Sequence, residues 1–208
     1  MIKLCLYLLW GYQMKIGIDL DGVVINSEAT LRTFYEIFDI DVLNGNNLID
    51  RTKPKFQARY NWTEEQRQQF IDTYMLEASK NSPLMAGFKV VYELLKKENI
   101  EFIAITARGG YLTEMRDDAE RILRENNITF DKIYWKQRDK LDTCLDEKID
   151  IMIDDDYEVI NTLSQNGIKT LYFRDSGMIK LEENECVKEV NNWGDIYRVI
   201  KEILNKGE

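Results

Sequence analysis

Apolar and polar positions change their period several times along the chain. Residues 15–20, Lys-Ile-Gly-Ile-Asp-Leu, are a mostly apolar run ending at polar residues, the pattern of a buried strand. Leu31, Phe34, Tyr35 and Phe38 then recur at helical spacing and predict a helix over 28–38, with Ser27 as its cap. From Asp39 to Asn61 no period holds, and Asn44-Gly45-Asn46-Asn47 is a loop signal. Thr63 and Gln66 are spaced for a capping box. The helix that follows carries Phe70, Ile71, Tyr74 and Met75 on one side and runs to Lys80, where Asn81-Ser82-Pro83 breaks it.

Beyond Pro83, helix and strand patterns alternate. Helices are predicted over 87–98, 112–126, 139–147, 157–165 and 193–205, and strands over 101–106, 131–135, 149–153 and 169–173. This alternation predicts an α/β fold with a parallel sheet covered on both faces. Such sheets bind ligands beyond the carboxyl ends of their strands. Segment 28–82 has no strand pattern, so it is expected to be a helical insertion over that edge. The first thirteen residues stand apart. Leu4 to Trp10 is apolar but shorter than the roughly 20 residues a bilayer span needs. It lacks a small-residue cleavage site. Met14 directly precedes the first strand, so translation is expected to start there, with residues 1–13 an extension outside the core.

Composition narrows the chemistry. The 208 residues are 44% hydrophobic and 31% charged, which suits one compact domain with a small insertion. A net charge of −9 disfavours a nucleic-acid polymer as partner, since phosphate backbones are gripped by clustered Lys and Arg. There is no histidine, which removes Ser-His-Asp and Cys-His catalysis and His-ligated zinc. Acid–base work then falls to carboxylates, Lys, Tyr or Cys. Cys5, Cys144 and Cys186 form no CxxC pair, so buried thiols in a reducing, cytoplasmic setting are expected.

Four features fall at predicted strand ends. Asp19 and Asp21, one residue apart, point the same way on a strand, and Gly22 lets the chain turn sharply after them. Thr106 ends an apolar strand ahead of Ala107-Arg108-Gly109-Gly110, a hydroxyl and loop amides suited to a phosphate oxygen. Lys140, with Lys136 as the alternative, is a cation in the company of these acids. Asp154-Asp155-Asp156 concentrates charge at another strand end, with oxygen ligands of the kind Mg²⁺ takes; Asp156 serves equally well as a helix cap. In the insertion, Arg51, Lys53, Lys55 and Arg59 precede Tyr60 and Trp62. These either grip a nucleotide, cations on phosphate and rings on the base, or form a solvated loop with its aromatics packed inward.

As an ordered set, Asp19-Leu20-Asp21-Gly22-Val23, Thr106, Lys140 and Asp154-Asp155 resemble the four motifs of the haloacid dehalogenase-like phosphohydrolase superfamily. Ser82 to Gly87, Thr106-Ala107-Arg108 and Ile149 to Asp155 are similar to its 5′-nucleotidase, 5′(3′)-deoxyribonucleotidase-like branch. The resemblance implies a Rossmann-like core from 14–27 and 83–208 with a helical cap at 28–82. It also implies Mg²⁺-dependent hydrolysis of a small phosphate monoester. Asp19 would be nucleophile and metal ligand, and Asp21 acid–base with its carbonyl on the metal. Asp155 would complete the metal set. Gly22, Thr106, Ala107, Arg108 and Lys140 would face the substrate. Nucleoside monophosphates are the leading substrate, sugar phosphates the nearest rival. A noncatalytic phosphometabolite-binding module is the competitor from another class.

Overall fold

The computed structural model describes residues 13–53, 55–174 and 178–205. The expectation for residues 1–13 falls almost wholly outside them. Six strands form the sheet: β1 (Met14–Ile18), β2 (Ile100–Ile105), β3 (Lys132–Tyr134), β4 (Ile151–Asp154), β5 (Lys169–Phe173) and β6 (Val187–Val190). They lie in the order β3-β2-β1-β4-β5-β6, and every pairing is parallel. The Rossmann-like α/β expectation therefore holds. β1 is central, with Met14 opposite Ile100 and Ile16 opposite Ile151.

The near-continuous apolar strands follow from burial on both faces. Along each strand alternate residues enter different layers. Ile16, Ile18, Phe102, Ala104, Ile151 and Ile153 share one core with Phe88, Ala119 and Ile196. These three come from helices α5 (Phe88–Leu95), α6 (Glu114–Glu125) and α9 (Trp193–Asn205). Ile103, Ile105 and Met152 face the other way, against Cys144 and Leu163. Those sit on α7 (Leu141–Glu147) and α8 (Tyr157–Gln165).

The insertion is helical. It contains α1 (Ser27–Asp41), α2 (Phe56–Arg59), α3 (Glu64–Phe70), a π-helical stretch Ile71–Met75, and α4 (Leu76–Asn81). It has its own core of Tyr35, Phe38, Phe56, Tyr60, Trp62 and Phe70. Tyr60 and Trp62 stack at 4.5 Å between ring centroids, and the Trp62 indole donates to the buried Asp39 at 2.8 Å. The capping box at Thr63 and Gln66 is present. Entry and exit strands are tied together, because Ile25 bridges Leu84 and Asn26 N donates to Pro83 O at 2.8 Å.

Three details differ from the sequence reading. β6 was not foreseen: its Val-Lys-Glu-Val pattern is four residues long and half exposed. The short α2 sits within the segment read as irregular. Ser27 does not cap α1. It is the helix's first residue, Asn26 holds the cap position without a side-chain bond, and the Ser27 hydroxyl goes to Asp21 instead. Tyr60 and Trp62 are buried in the insertion's core, so the packed alternative holds for both rings. Arg59 is likewise buried and donates to Glu36 at 3.0 Å.

Candidate active site

The carboxyl ends of β1, β2 and β4 meet at one point. Asp19 follows β1 directly, its N–H donating to Ile153 O at 2.9 Å. The chain then folds back: Ile25 N donates to Leu20 O and Gly22 N to Ile25 O. Gly22 has φ of +72°, and a Cβ there would lie 2.1 Å from Asp155 Oδ2. Only glycine lets the turn pass this close to the acid. Trp193 supports the turn from α9, donating its indole N–H to Val23 O at 2.8 Å.

Lys140 stands at the start of α7 and is buried. Its ammonium donates to Asp19 Oδ1 and to Asp154 Oδ2, both at 2.6 Å. An ammonium has three protons, so one remains for a ligand. Burial alone would lower its pKa, but the Asp154 and Asp19 charges hold it above its usual range. Lys136 is exposed, and its backbone N–H donates to Arg108 O at 3.1 Å. Asp154 also accepts from Asp156 N at 2.9 Å, so both of its oxygens are engaged and it orients Lys140.

Asp19, Asp154 and Asp155 each place a carboxylate oxygen within 4.8 Å of the others. Burial pushes Asp19 up to about 7; Lys140 pulls it down, and the Asp154 and Asp21 charges push it up. Burial and the neighbouring acids raise Asp155 too. With all three ionised, one ammonium would leave two negative charges for a divalent cation to neutralise. The oxygen donor set fits Mg²⁺. Asp156 is the cap of α8, its Oδ1 accepting from Glu158 N. Its Oδ2 takes the Lys55 ammonium of the insertion at 2.9 Å.

Asp21 sits apart from that cluster's cation. Arg108 grips it with Nε on Oδ2 at 2.9 Å and Nη2 on Oδ1 at 2.8 Å. Burial would raise the Asp21 pKa, but Arg108 and the Ser27 hydroxyl hold it below the usual carboxylate range. Thr106 is fully buried at the end of β2, and its hydroxyl accepts from Arg108 N at 3.2 Å. Ala107 is exposed on the same loop. The sequence reading missed Ser27, Trp193 and Ser79, whose hydroxyl accepts from Arg108 Nη1 at 3.3 Å, as parts of this site. The one local signal was Ser27's place after the acidic turn.

No family model and no curated protein matches the sequence. Solved structures do match the fold. A haloacid dehalogenase-like family hydrolase from Streptococcus pneumoniae superposes with a TM-score of 0.65 at 13% identity, covering 90% of this chain and 98% of that one. This is the haloacid dehalogenase-like fold. A second hydrolase named for the same family, from Xanthomonas campestris, gives 0.63 at 13% identity over 94% and 99%. A phosphonoacetaldehyde hydrolase-like protein from Oleispira antarctica gives 0.61 at 14% over 94% of each. In this fold the site lies at the sheet edge where parallel α/β folds bind ligands. No helix among the described residues is long and apolar enough to cross a membrane.

Proposed function

We propose that the chain is a Mg²⁺-dependent phosphatase acting on a small phosphate monoester through an aspartyl phosphate. The supporting observation is the Asp19–Lys140–Asp154 arrangement beside Asp155. Lys140 fixes Asp19 by one oxygen, which leaves the other to attack phosphorus and displace the ester oxygen. Asp21 first takes up a proton from solvent and gives it to the leaving oxygen, and the resulting carboxylate later takes one from the water that attacks the aspartyl phosphate. Thr106 and the third Lys140 proton hold phosphoryl oxygens. Asp19, Asp155 and the Asp21 carbonyl would hold Mg²⁺, which when bound neutralises the crowded acids and polarises the phosphoryl group.

The insertion at 28–82 acts as the cap over this site, and a nucleoside monophosphate is the substrate the surroundings favour. Beside Asp155 lies a cavity of about 300 Å³ between cap and core. Glu28, Lys53 and Lys55 stand on its cap side, and Asp155, Asp156, Tyr157, Tyr172 and Met178 on its core side. Cations near aromatic and apolar walls suit an anionic ligand with a flat ring. On this reading the base lies against the half-buried Tyr157, since Tyr172, like Tyr60 and Trp62, is buried.

Asp19→Asn is expected to abolish hydrolysis of p-nitrophenyl phosphate, and so is chelation of Mg²⁺. Undiminished turnover in either case refutes the assignment. On a substrate panel, kcat/KM for the best nucleoside monophosphate is expected to exceed that for any sugar phosphate by about tenfold or more. Equal values remove the nucleotidase reading and leave the phosphatase.

A further inference from the structure

Arg108 is the most heavily engaged cation of the site, and its partners are unusual for a substrate ligand. Two of its nitrogens hold both oxygens of Asp21. Its third, Nη1, donates to Met115 O at 3.1 Å and to Ser79 Oγ on cap helix α4 at 3.3 Å. Its backbone N–H meets the Thr106 hydroxyl. The side chain is nearly inaccessible, at 1% exposure, while that of Asp21 is 36% exposed. Asp19 also lies close enough to act on Arg108 electrostatically. Asp21 gripped in this way is aimed at Arg108 and not at a leaving oxygen.

We propose that Arg108 exchanges Asp21 for substrate. The incoming phosphoryl oxygens take the guanidinium fork, and Asp21 is released to meet the leaving oxygen. The exchange rests on the phosphatase reading. Its physical basis is that a phosphoryl group matches the same planar fork as a carboxylate. It also brings more negative charge than the single one on Asp21, so the attraction to Arg108 grows. The Nη1 contacts to Met115 and Ser79 supply a pivot that stays in place. Substrate arrival and readiness of the acid are then one event. Water entering without a phosphoryl group finds Asp21 still held. Arg108 is thus a positioning residue for Asp21 as well as a phosphoryl ligand.

The test is a double-mutant cycle read by calorimetric binding of inorganic phosphate with Mg²⁺ present. Asp21 competes for Arg108 in the wild type. Asp21→Asn is therefore expected to tighten phosphate binding by about tenfold. In an Arg108→Gln background the same Asp21→Asn change is expected to alter it less than about threefold. Equal tightening in the two backgrounds overturns the exchange, because removing a nearby negative charge would then explain the gain alone. Arg108→Gln leaves Asp21 without its partner and can unfold the protein, so the wild type supplies a second readout. Its Arg108 Nε–H signal, observed by ¹⁵N NMR and assigned through Arg108→Lys, is expected to shift on saturation with phosphate. An unmoved signal overturns the proposal. Wild-type turnover of p-nitrophenyl phosphate is measured alongside. Turnover without coupling sinks the exchange alone, whereas no turnover sinks the phosphatase reading and the exchange with it.

Discussion

Replacing Lys140 by Met tests the charge arrangement directly. The Lys140 ammonium is 4% exposed and lies 2.6 Å from each of two carboxylates, Asp19 at 8% and Asp154 at 1%. Removing one partner of a buried ion pair costs about 3–5 kcal/mol, because the remaining charge is left uncompensated. That is a large share of the roughly 5–15 kcal/mol that holds a domain folded. At about 2–4 °C per kcal/mol for a chain of this size, the melting temperature is expected to fall by about 6–20 °C. The loss depends on pH with a definite sign. Asp19 is already held up to about 7 against an ordinary 3.8, and without Lys140 it rises further. A raised carboxyl pKa means that the folded state binds more protons than the unfolded one, so stability falls as pH rises. The deficit of the variant is therefore smallest below pH 7 and grows as pH rises above 7. Mg²⁺ is expected to return more stability to the variant than to the wild type, by mass action at a more negative site. The assay is urea unfolding in EDTA on both sides of that pH, repeated with Mg²⁺. A deficit under about 1 kcal/mol at pH 8, or one indifferent to pH, refutes the account.

Gly22→Ala is expected to fold with a distorted site, since its Cβ would meet Asp155 Oδ2 at 2.1 Å in a positive-φ turn; a Mg²⁺-induced rise in melting temperature equal to that of the wild type contradicts this. Trp62→Phe strips the buried Asp39 of its indole donor and is expected to cost about 1–3 kcal/mol in urea unfolding. An unchanged midpoint would show that Asp39 finds another donor. Glu147 is held at about 2, below its ordinary 4.5, by hydrogen bonds from Lys132, Tyr134 and Lys15. Its stabilisation is full above pH 4.5 and is lost as pH falls towards 2. Glu147→Gln should therefore flatten the acid limb of a stability–pH profile recorded from pH 2 to 6, and a limb of unchanged slope argues otherwise.

What the sequence made legible was local. Strand and helix periods lie in consecutive residues, so β1 to β5 and the long helices were readable within a few positions. The acids at the ends of β1 and β4 were readable because a polar cluster after an apolar run marks a strand end. The division of labour among Asp154, Asp155 and Asp156 was not, because it depends on where each carboxylate points. Asp154 turns to Lys140, Asp155 stays with the acid cluster, and Asp156 caps α8. The choice between Lys136 and Lys140 needed burial, a tertiary quantity. The grip of Arg108 on Asp21 joins residues far apart in the chain and leaves no periodic trace. Tyr60 and Trp62 carried an ambiguous signal, since cations beside aromatics look the same whether the rings face a ligand or a core.

The central place of β1 in the sheet has a consequence for how the protein comes into being. Met14 pairs with Ile100 and Ile16 with Ile151, so β1 gains its second neighbour only once β4 has been synthesised. The cap, with its own aromatic core, lies within the interval and can form from nearer contacts. Closing distant strands is slow, and only the closing of β4 onto β1 brings Asp154 and Asp155 against Asp19. The mutual repulsion of these acids is therefore imposed when β4 joins β1, not earlier. A nascent chain that has not reached β4 carries Asp19 as an ordinary surface acid with ordinary reactivity.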